Sequence, residues 1–454
     1  MPQQNNSIDQ IIAPRRRFVI AFMSLLALFL FGLPFVAFSD DTLFEPVNDL
    51  RTTQDVPAGA LRARTVRVNW GALNPRTGEL RLNLFDDVNL TAKLDRTDTS
   101  ITGAYVWVGE VPGEPGSVAT LAVQDGVLSG SVHRYGHEWV VIESAGGTTS
   151  DLYTIREIDP NAPHPTGPDE VVPQLSATGG DSSFTQSATC QEDGSKISVL
   201  IAYTAEARDA AGGVAAVEAL INRRISEMNT ANDASQVYFD WVLADAVQVD
   251  YTESGNILTD LENLQGKTDG RIDSIHAARD TAKADLVALL ISEGSDGACG
   301  RAYRLPELQP YREDIAFGVT ALDYADPYLC SEMTLTHELG HNLGNAHNRA
   351  GTDSEAIFPY SFGFQSPNKT FRTLMAYECP EGGCPRINQW ANPTITYKGE
   401  PTGIDHAKDP ANASDMVRSM NQARMLVSNF RADCVATPPG PMTNFAYMPV
   451  AVRR

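Results

Sequence analysis

The rhythm of apolar and polar positions changes three times along this chain. Residues 18–38 form an apolar run behind Arg15, Arg16 and Arg17, broken in its second half by Gly32 and Pro34. Ala37 and Ser39 are small residues where a signal peptidase reads, so residues 1–39 are expected to be a cleaved secretory signal. The run is nearly long enough to span a bilayer; left uncut, it would be the chain's one membrane tether. From 40 to 158 the period becomes two. Val66, Val68 and Trp70 alternate with polar neighbours, as do Leu80, Leu82 and Leu84. Short strands are predicted at 105–108, 119–123, 126–132 and 138–143, separated by turn dipeptides such as Pro112-Gly113 and Asp125-Gly126.

Between 159 and 189 the period vanishes and Pro, Gly, Ser and Thr take over, which predicts a flexible linker open to proteases. From 190 to 434 longer apolar runs alternate with helical spacing. We expect strands at 197–203, 237–242, 286–292 and 315–320, the last at a sheet edge, and helices at 206–228, 271–283 and 416–430. That alternation predicts an α/β (α+β) domain with a mixed, mostly parallel twisted sheet, preceded by a β-rich domain. Residues 435–454 read as a loose tail.

Charge narrows the partners. The chain of 454 residues carries a formal charge of -22, which disfavours nucleic acid and anionic lipid. Residues 40–189 contribute -11 (10 bases against 21 acids) and 190–454 contribute -13 (22 bases against 35 acids). The two regions therefore repel, and any docking between them must rest on apolar surface or local pairs. All six cysteines lie at or after 190. An even count in an exported chain implies disulfides. The expected pairs are Cys299–Cys330, Cys379–Cys384 and Cys190–Cys434.

The chemistry concentrates in residues 336–347, which read THELGHNLGNAH. His337 and His341, four apart on a helix, stack on one face and can share a metal. Glu338 is turned ~100° around the helix, beside that metal rather than in its ligand set. His347 would lie ~15 Å along the axis if the helix continued, so the chain must turn; Gly344 supplies the residue for it. Three imidazoles leave a fourth position open on Zn2+, the pattern of a catalytic site. Zinc would activate a water, with Glu338 as general base toward a peptide bond. Nothing in the sequence assigns calcium. His133, His137, His164, His276 and His406 are expected to be structural or surface residues.

The full H-E-x-x-H-x-x-G-x-x-H pattern resembles the metzincin clan of zinc endopeptidases. The wider chain, about 190–434, is similar to reprolysin-like bacterial enzymes, in particular the peptidyl-Asp metalloendopeptidases. The resemblance implies that Met375, in Thr373-Leu374-Met375-Ala376-Tyr377, packs beneath the histidines without binding metal. It also implies that Tyr377 stabilises the tetrahedral intermediate. A preference for Asp beyond the cleaved bond would need a cation in the first primed-side pocket, for which Arg372 and Arg349 are the candidates. Snake-venom-type relatives carry Asp after the third histidine, where this chain has Asn348. Substrates are expected to be proteins or peptides, bound as an added strand on the 315–320 edge. The β-rich region 40–158 reads as an intramolecular inhibitor removed by cleavage in 159–189. With no cysteine there, latency would need steric cover, or a carboxylate or histidine reaching the metal. The competing expectation is a membrane-tethered or adhesive binding protein with a silent protease-like domain.

Overall fold

A computed structural model describes residues 42–47, 56–135, 139–145, 151–173, 191–325, 328–351, 355–380 and 383–432. The expected signal segment, the Cys190–Cys434 pair, His137 and the tail lie outside the described residues. Among these residues no helix is long and apolar enough to cross a membrane.

The β-rich region forms nine strands: β1 (Phe44–Pro46), β2 (Ala60–Val68), β3 (Glu79–Phe85), β4 (Val88–Thr99), β5 (Tyr105–Glu110), β6 (Val118–Gln124), β7 (Val127–His133), β8 (Trp139–Ser144) and β9 (Leu152–Ile158). They build one antiparallel sheet in the order β1-β2-β9-β8-β7-β6-β5-β4-β3. The sheet curls until its ends meet, where the Leu43 N–H donates to the Arg81 carbonyl at 2.9 Å. Alternation explains the filling, since Leu80, Leu82 and Leu84 point inward and are at most 1% exposed. Trp107 occupies the interior and donates its indole N–H to the Thr77 carbonyl at 2.7 Å. Glycine is required at 109, because a Cβ there would come within 2.2 Å of the Trp107 ring. Trp70 departs from expectation. It lies past the end of β2, where Asn69 caps a turn by accepting from the Gly71 N–H at 3.1 Å, and it is 42% exposed.

The second sheet has six strands in the order β10-β14-β15-β13-β11-β12. These are β10 (Glu170–Val171), β11 (Lys196–Tyr203), β12 (Asp240–Gln248), β13 (Leu286–Glu293), β14 (Gly300–Tyr303) and β15 (Phe317–Asp323). β11, β12, β13 and β15 run parallel, and β14 is antiparallel to β15. Six helices accompany this sheet: α1 (Ala205–Ala211), α2 (Val214–Ser235), α3 (Ile257–Gln265), α4 (Ser274–Ala282), α5 (Thr334–Asn342) and α6 (Met416–Val427). Two expectations are corrected. The helix predicted over 206–228 is two helices, split at Gly212 and Gly213 (φ 100° and 117°). The strand predicted at 315–320 is not an edge, because β14 pairs along its outer side.

β10 comes from the stretch read as flexible linker. Residues 159–173 instead form an ordered strap along β14: the Ala302 N–H donates to the Asp169 carbonyl at 3.0 Å, and the Arg304 N–H to the Val171 carbonyl at 2.9 Å. The Cys299–Cys330 and Cys379–Cys384 disulfides form as expected. The first ties β14 to the segment entering α5.

α2 lies between the two sheets. Val217, Leu220, Ile221 and Met228 join the core of the mixed sheet. Its polar side is buried against the β-rich sheet. Arg223 Nε donates to Ser129 Oγ at 2.9 Å, Asn222 Nδ2 to Thr102 Oγ1 at 3.0 Å, and Ser226 Oγ to Asp98 at 2.8 Å. Arg223 also pairs with Glu227 and Glu332, both at 2.9 Å. A cavity of about 230 Å³ lies in this seam.

Candidate metal centre and catalytic cleft

α5 carries His337 and His341 and ends at Asn342, and the chain turns at Gly344, whose φ is 85°. A side chain there would meet Ile357 at 2.6 Å as well as strain the backbone. The reversal sends His347, on β16 (Ala346–Asn348), back beside the helix, where β16 is pinned by β17 (Phe362–Gly363). Each helical imidazole is oriented by its far nitrogen: His337 Nδ1 lies 2.9 Å from the Leu374 carbonyl and His341 Nδ1 2.8 Å from the Asn345 carbonyl. Those N–H donations leave the Nε2 lone pairs facing inward. Burial, then neighbouring histidines, push the His341 pKa well below the usual imidazole range, which keeps it neutral.

The cluster fits a metal. His337 Nε2 and His347 Nε2 are 3.2 Å apart, and His341 Nε2 is buried without a hydrogen-bond partner. Tetrahedral zinc with Zn–N bonds of about 2.0–2.1 Å spaces its ligands by roughly 3.3 Å. Asp169 of the strap completes the set: His337, His341, His347 and Asp169 each offer an atom within 4.8 Å of the others. Asp169 Oδ1 lies 2.9 Å from His347 Nε2, and Oδ2 3.3 Å from His337 Nε2. The neighbouring Glu170 pairs with Arg304 at 3.1 Å and fixes the strap.

Glu338 is 2% exposed and its Oε2 has no partner. Burial first, and then the charge of Asp169, raise its proton affinity well above the usual carboxylate range. It packs on Gly300 of β14, where a Cβ would sit 2.3 Å from Glu338 Oε1. Met375 is fully buried beneath the helix, and Gly340 makes room for it: a Cβ there would meet the Met375 sulfur at 2.7 Å. The Tyr377 ring stacks on His347 with centroids 4.0 Å apart, and its hydroxyl donates to Asp169 at 2.9 Å. Asn348, where venom-type relatives carry Asp, accepts from the Tyr377 N–H at 3.0 Å and so holds that tyrosine's backbone.

The two arginine candidates are otherwise engaged. Arg349 is spent on the carbonyls of Ala413 and Pro359 and stacks over Phe362. Arg372 is buried and donates to the carbonyls of Cys384 and Ala376, both at 3.2 Å. Two arginines, Arg301 and Arg386, act on Glu338, and Arg386 lines a small cavity with Glu338, His337 and Asp169. Sequence reasoning missed both Arg386 and Asp169, since neither stands in a recognisable local pattern.

Residues 195–406 match the family described as metallo-peptidase family M12B, reprolysin-like. The chain is 29% identical over 385 residues to a peptidyl-Asp metalloendopeptidase of Xanthomonas campestris, covering 81% of this chain and 86% of that one. It is 33% identical over 238 residues to one from Stenotrophomonas maltophilia, covering 52% of each. A third, from Pseudomonas fragi, is 31% identical over 148 residues, 32% of this chain and 70% of that one. With a three-histidine centre that fits zinc, the chain belongs to the reprolysin-like M12B metallopeptidases and is a zinc metalloendopeptidase.

Proposed function

We propose that this chain is a secreted endopeptidase made as a latent precursor, with His337, His341 and His347 as zinc ligands and Glu338 as general base. The observation that carries the reading is the convergence of the three imidazoles beside one buried, unpartnered carboxylate. Zinc held there supplies Lewis acidity toward a peptide carbonyl and acidifies a water. Glu338 takes a proton from the attacking water and returns it to the leaving amine. Tyr377, stacked on His347, offers its hydroxyl to the developing oxyanion once Asp169 has left. Met375 is the packed floor that keeps the imidazoles in place.

Latency fits the same geometry. The strap lies along β14, the edge a substrate strand would otherwise add to, and Asp169 stands where a reacting carbonyl would enter. Residues 42–173 are then part of an inhibitory propeptide, released by cleavage that leaves a new N-terminus near 186–196. The similarity to the Xanthomonas enzyme covers more of the chain than the part after 190 can supply, so the β-rich region has a counterpart there. Secretion is supported by the apolar run after Arg17 and by the disulfides. The relatives' name, peptidyl-Asp metalloendopeptidase, supports a preference for Asp.

Glu338→Gln tests the assignment. The variant should bind zinc like the parent while casein hydrolysis falls by ~10²–10⁴-fold, the usual contribution of a general base. Casein cleavage at the parental rate would overturn it. Sequencing the N-terminus of the secreted protein tests latency: a start near 186–196 supports removal, whereas a start near 40 means a retained domain.

A further inference from the structure

Arg386 is bracketed by backbone rather than by anions. The Arg372 N–H donates to the Pro385 carbonyl at 3.0 Å, and the Ile387 N–H to the Arg372 carbonyl at 2.9 Å. The Cys379–Cys384 disulfide closes the loop just before it. The side chain is thereby delivered to a cavity of about 50 Å³ that it shares with His337 and Glu338. A guanidinium in such a place ordinarily finds a carboxylate. Here Nε is buried with no hydrogen-bond partner.

The acidic side chains facing Arg386 are Asp169, Glu378 and Glu338; the neutral Tyr377 hydroxyl is also near, and the buried Arg372 guanidinium beside it is a like charge. Asp169 belongs to the strap. Glu378 is 43% exposed and lies 3.7 Å from Arg372. Glu338 must stay free for proton transfer. His164, Pro165 and Gly167 of the strap also line the cavity, so it is small here because the strap occupies it. Loss of residues 159–173 would both enlarge the cavity and remove the anion that faces Arg386.

We infer that Arg386 is the specificity-determining cation of this enzyme, receiving an acidic side chain of the substrate residue adjacent to the scissile bond. The inference rests on the endopeptidase reading. The cavity shares His337 and Glu338 with the reacting centre, so a side chain lodged in it belongs to a residue flanking the cleaved bond. A lone guanidinium without its anion binds a carboxylate and leaves a neutral isostere with an unmet charge. The net charge of -22 makes a cationic recess beside the catalytic carboxylate a local construction, not a general property of the surface.

The test uses enzyme released from the full chain by limited proteolysis, and peptide pairs differing only in Asp against Asn at one position. The parent should favour the Asp peptide at least tenfold in kcat/KM. Arg386→Gln should collapse that ratio to within about threefold, Arg386→Lys should keep part of it, and Arg349→Gln should leave it intact. An unchanged ratio in Arg386→Gln overturns the inference, and so does a parent indifferent to the acid. Binding of the same peptides to a Glu338→Gln background separates the two readings. Asp-over-Asn binding that needs Arg386, in a parent that cleaves nothing, sinks the endopeptidase assignment and supports the pocket. Cleavage without Arg386-dependent binding does the reverse.

Discussion

The region before residue 174 grips the rest of the chain along α2 and at the strap, among other contacts, and these two are built differently. Along α2 the contact is broad and self-satisfied. Arg223 meets Glu227, Glu332 and Ser129, and Arg156 and Arg224 stand near the same Glu332. Most of the charge there is matched within the seam, although Arg224 Nη1 is buried without a hydrogen-bond partner beside the cavity. At the strap the contact is narrow and borrowed. Asp169 satisfies imidazoles and a tyrosine that have other work to do, and it faces an arginine whose Nε has no partner. A pairing whose members serve only each other stabilises the fold; a pairing with residues of the metal centre is, on the proposed reading, the one that must be released before substrate can bind.

The seam should show itself in stability. Arg223→Leu leaves Glu227 without its cation, although Glu332 keeps Arg224 at 2.9 Å, and breaking a buried pair from one side costs about 3–5 kcal/mol. Denaturant unfolding of the full chain should fall by that much, while the uncut chain stays inactive. The seam should also fail in acid. Burial raises the pKa of Glu332, but the guanidiniums of Arg224, Arg223 and Arg156 outweigh it and hold the carboxyl down to about 2. A carboxylate with a depressed folded pKa contributes stability that is complete above about 4.5 and is lost as pH falls toward the folded value. Such a group contributes no more than about 3 kcal/mol. Unfolding free energy measured from pH 5 to 2 should therefore drop steeply in the parent and more shallowly in Glu332→Gln. Equal slopes would place the acid sensitivity elsewhere.

What the sequence disclosed follows the same division. His337, Glu338, His341, Gly344 and His347 were legible because a helix and its turn impose fixed spacing on residues of rare type. Met375 was legible only through a family pattern, and the local reason for it, the missing side chain of Gly340, lies in a contact no spacing rule describes. Asp169 sits among prolines and glycines, and its chain gains regular structure only by borrowing hydrogen bonds from β14. The four residues of β14 are too few to show a period. Arg386 was passed over for Arg372, which stands nearer the Met375 turn in sequence but spends its guanidinium on carbonyls. The long helix was seen but not its sidedness, because Asn222, Arg223, Ser226 and Glu227 look like a solvated face until a second sheet covers them.

The strap should show itself in activity. Asp169→Ala removes the carboxylate contacts to His337, His347 and Tyr377 but leaves the seam whole. Charge-assisted hydrogen bonds contribute about 1.5–3 kcal/mol each. Hydrolysis of a short peptide by the uncut chain should rise on the order of 100-fold, equivalent to about 2.7 kcal/mol. Unfolding free energy should fall by no more than about the same 2.7 kcal/mol, less than in Arg223→Leu, and the chain should still elute as one intact species. A silent Asp169→Ala chain would mean that the strap blocks by bulk alone.

Salt should produce the smallest effect, and its sign is informative. The regions on either side of the seam carry -11 and -13, counted over residues 40–189 and 190–454, so their long-range interaction is repulsive and screening it favours docking. The exposed pairs oppose this. Across the seam Arg96 lies 3.9 Å from Asp233, with side chains 28% and 71% exposed, and salt weakens pairs of that kind. Such pairs contribute about 0.2–1 kcal/mol, whereas the buried Arg223 cluster is screened little. Raising sodium chloride from ~20 mM to ~500 mM should therefore tighten the seam by a few tenths of a kcal/mol, to well under 1 kcal/mol. Arg96→Gln removes the opposing contribution, so the tightening should grow. If salt instead loosened the parent strongly, the exposed pairs would be holding the β-rich region, and the seam would be no more permanent than the strap.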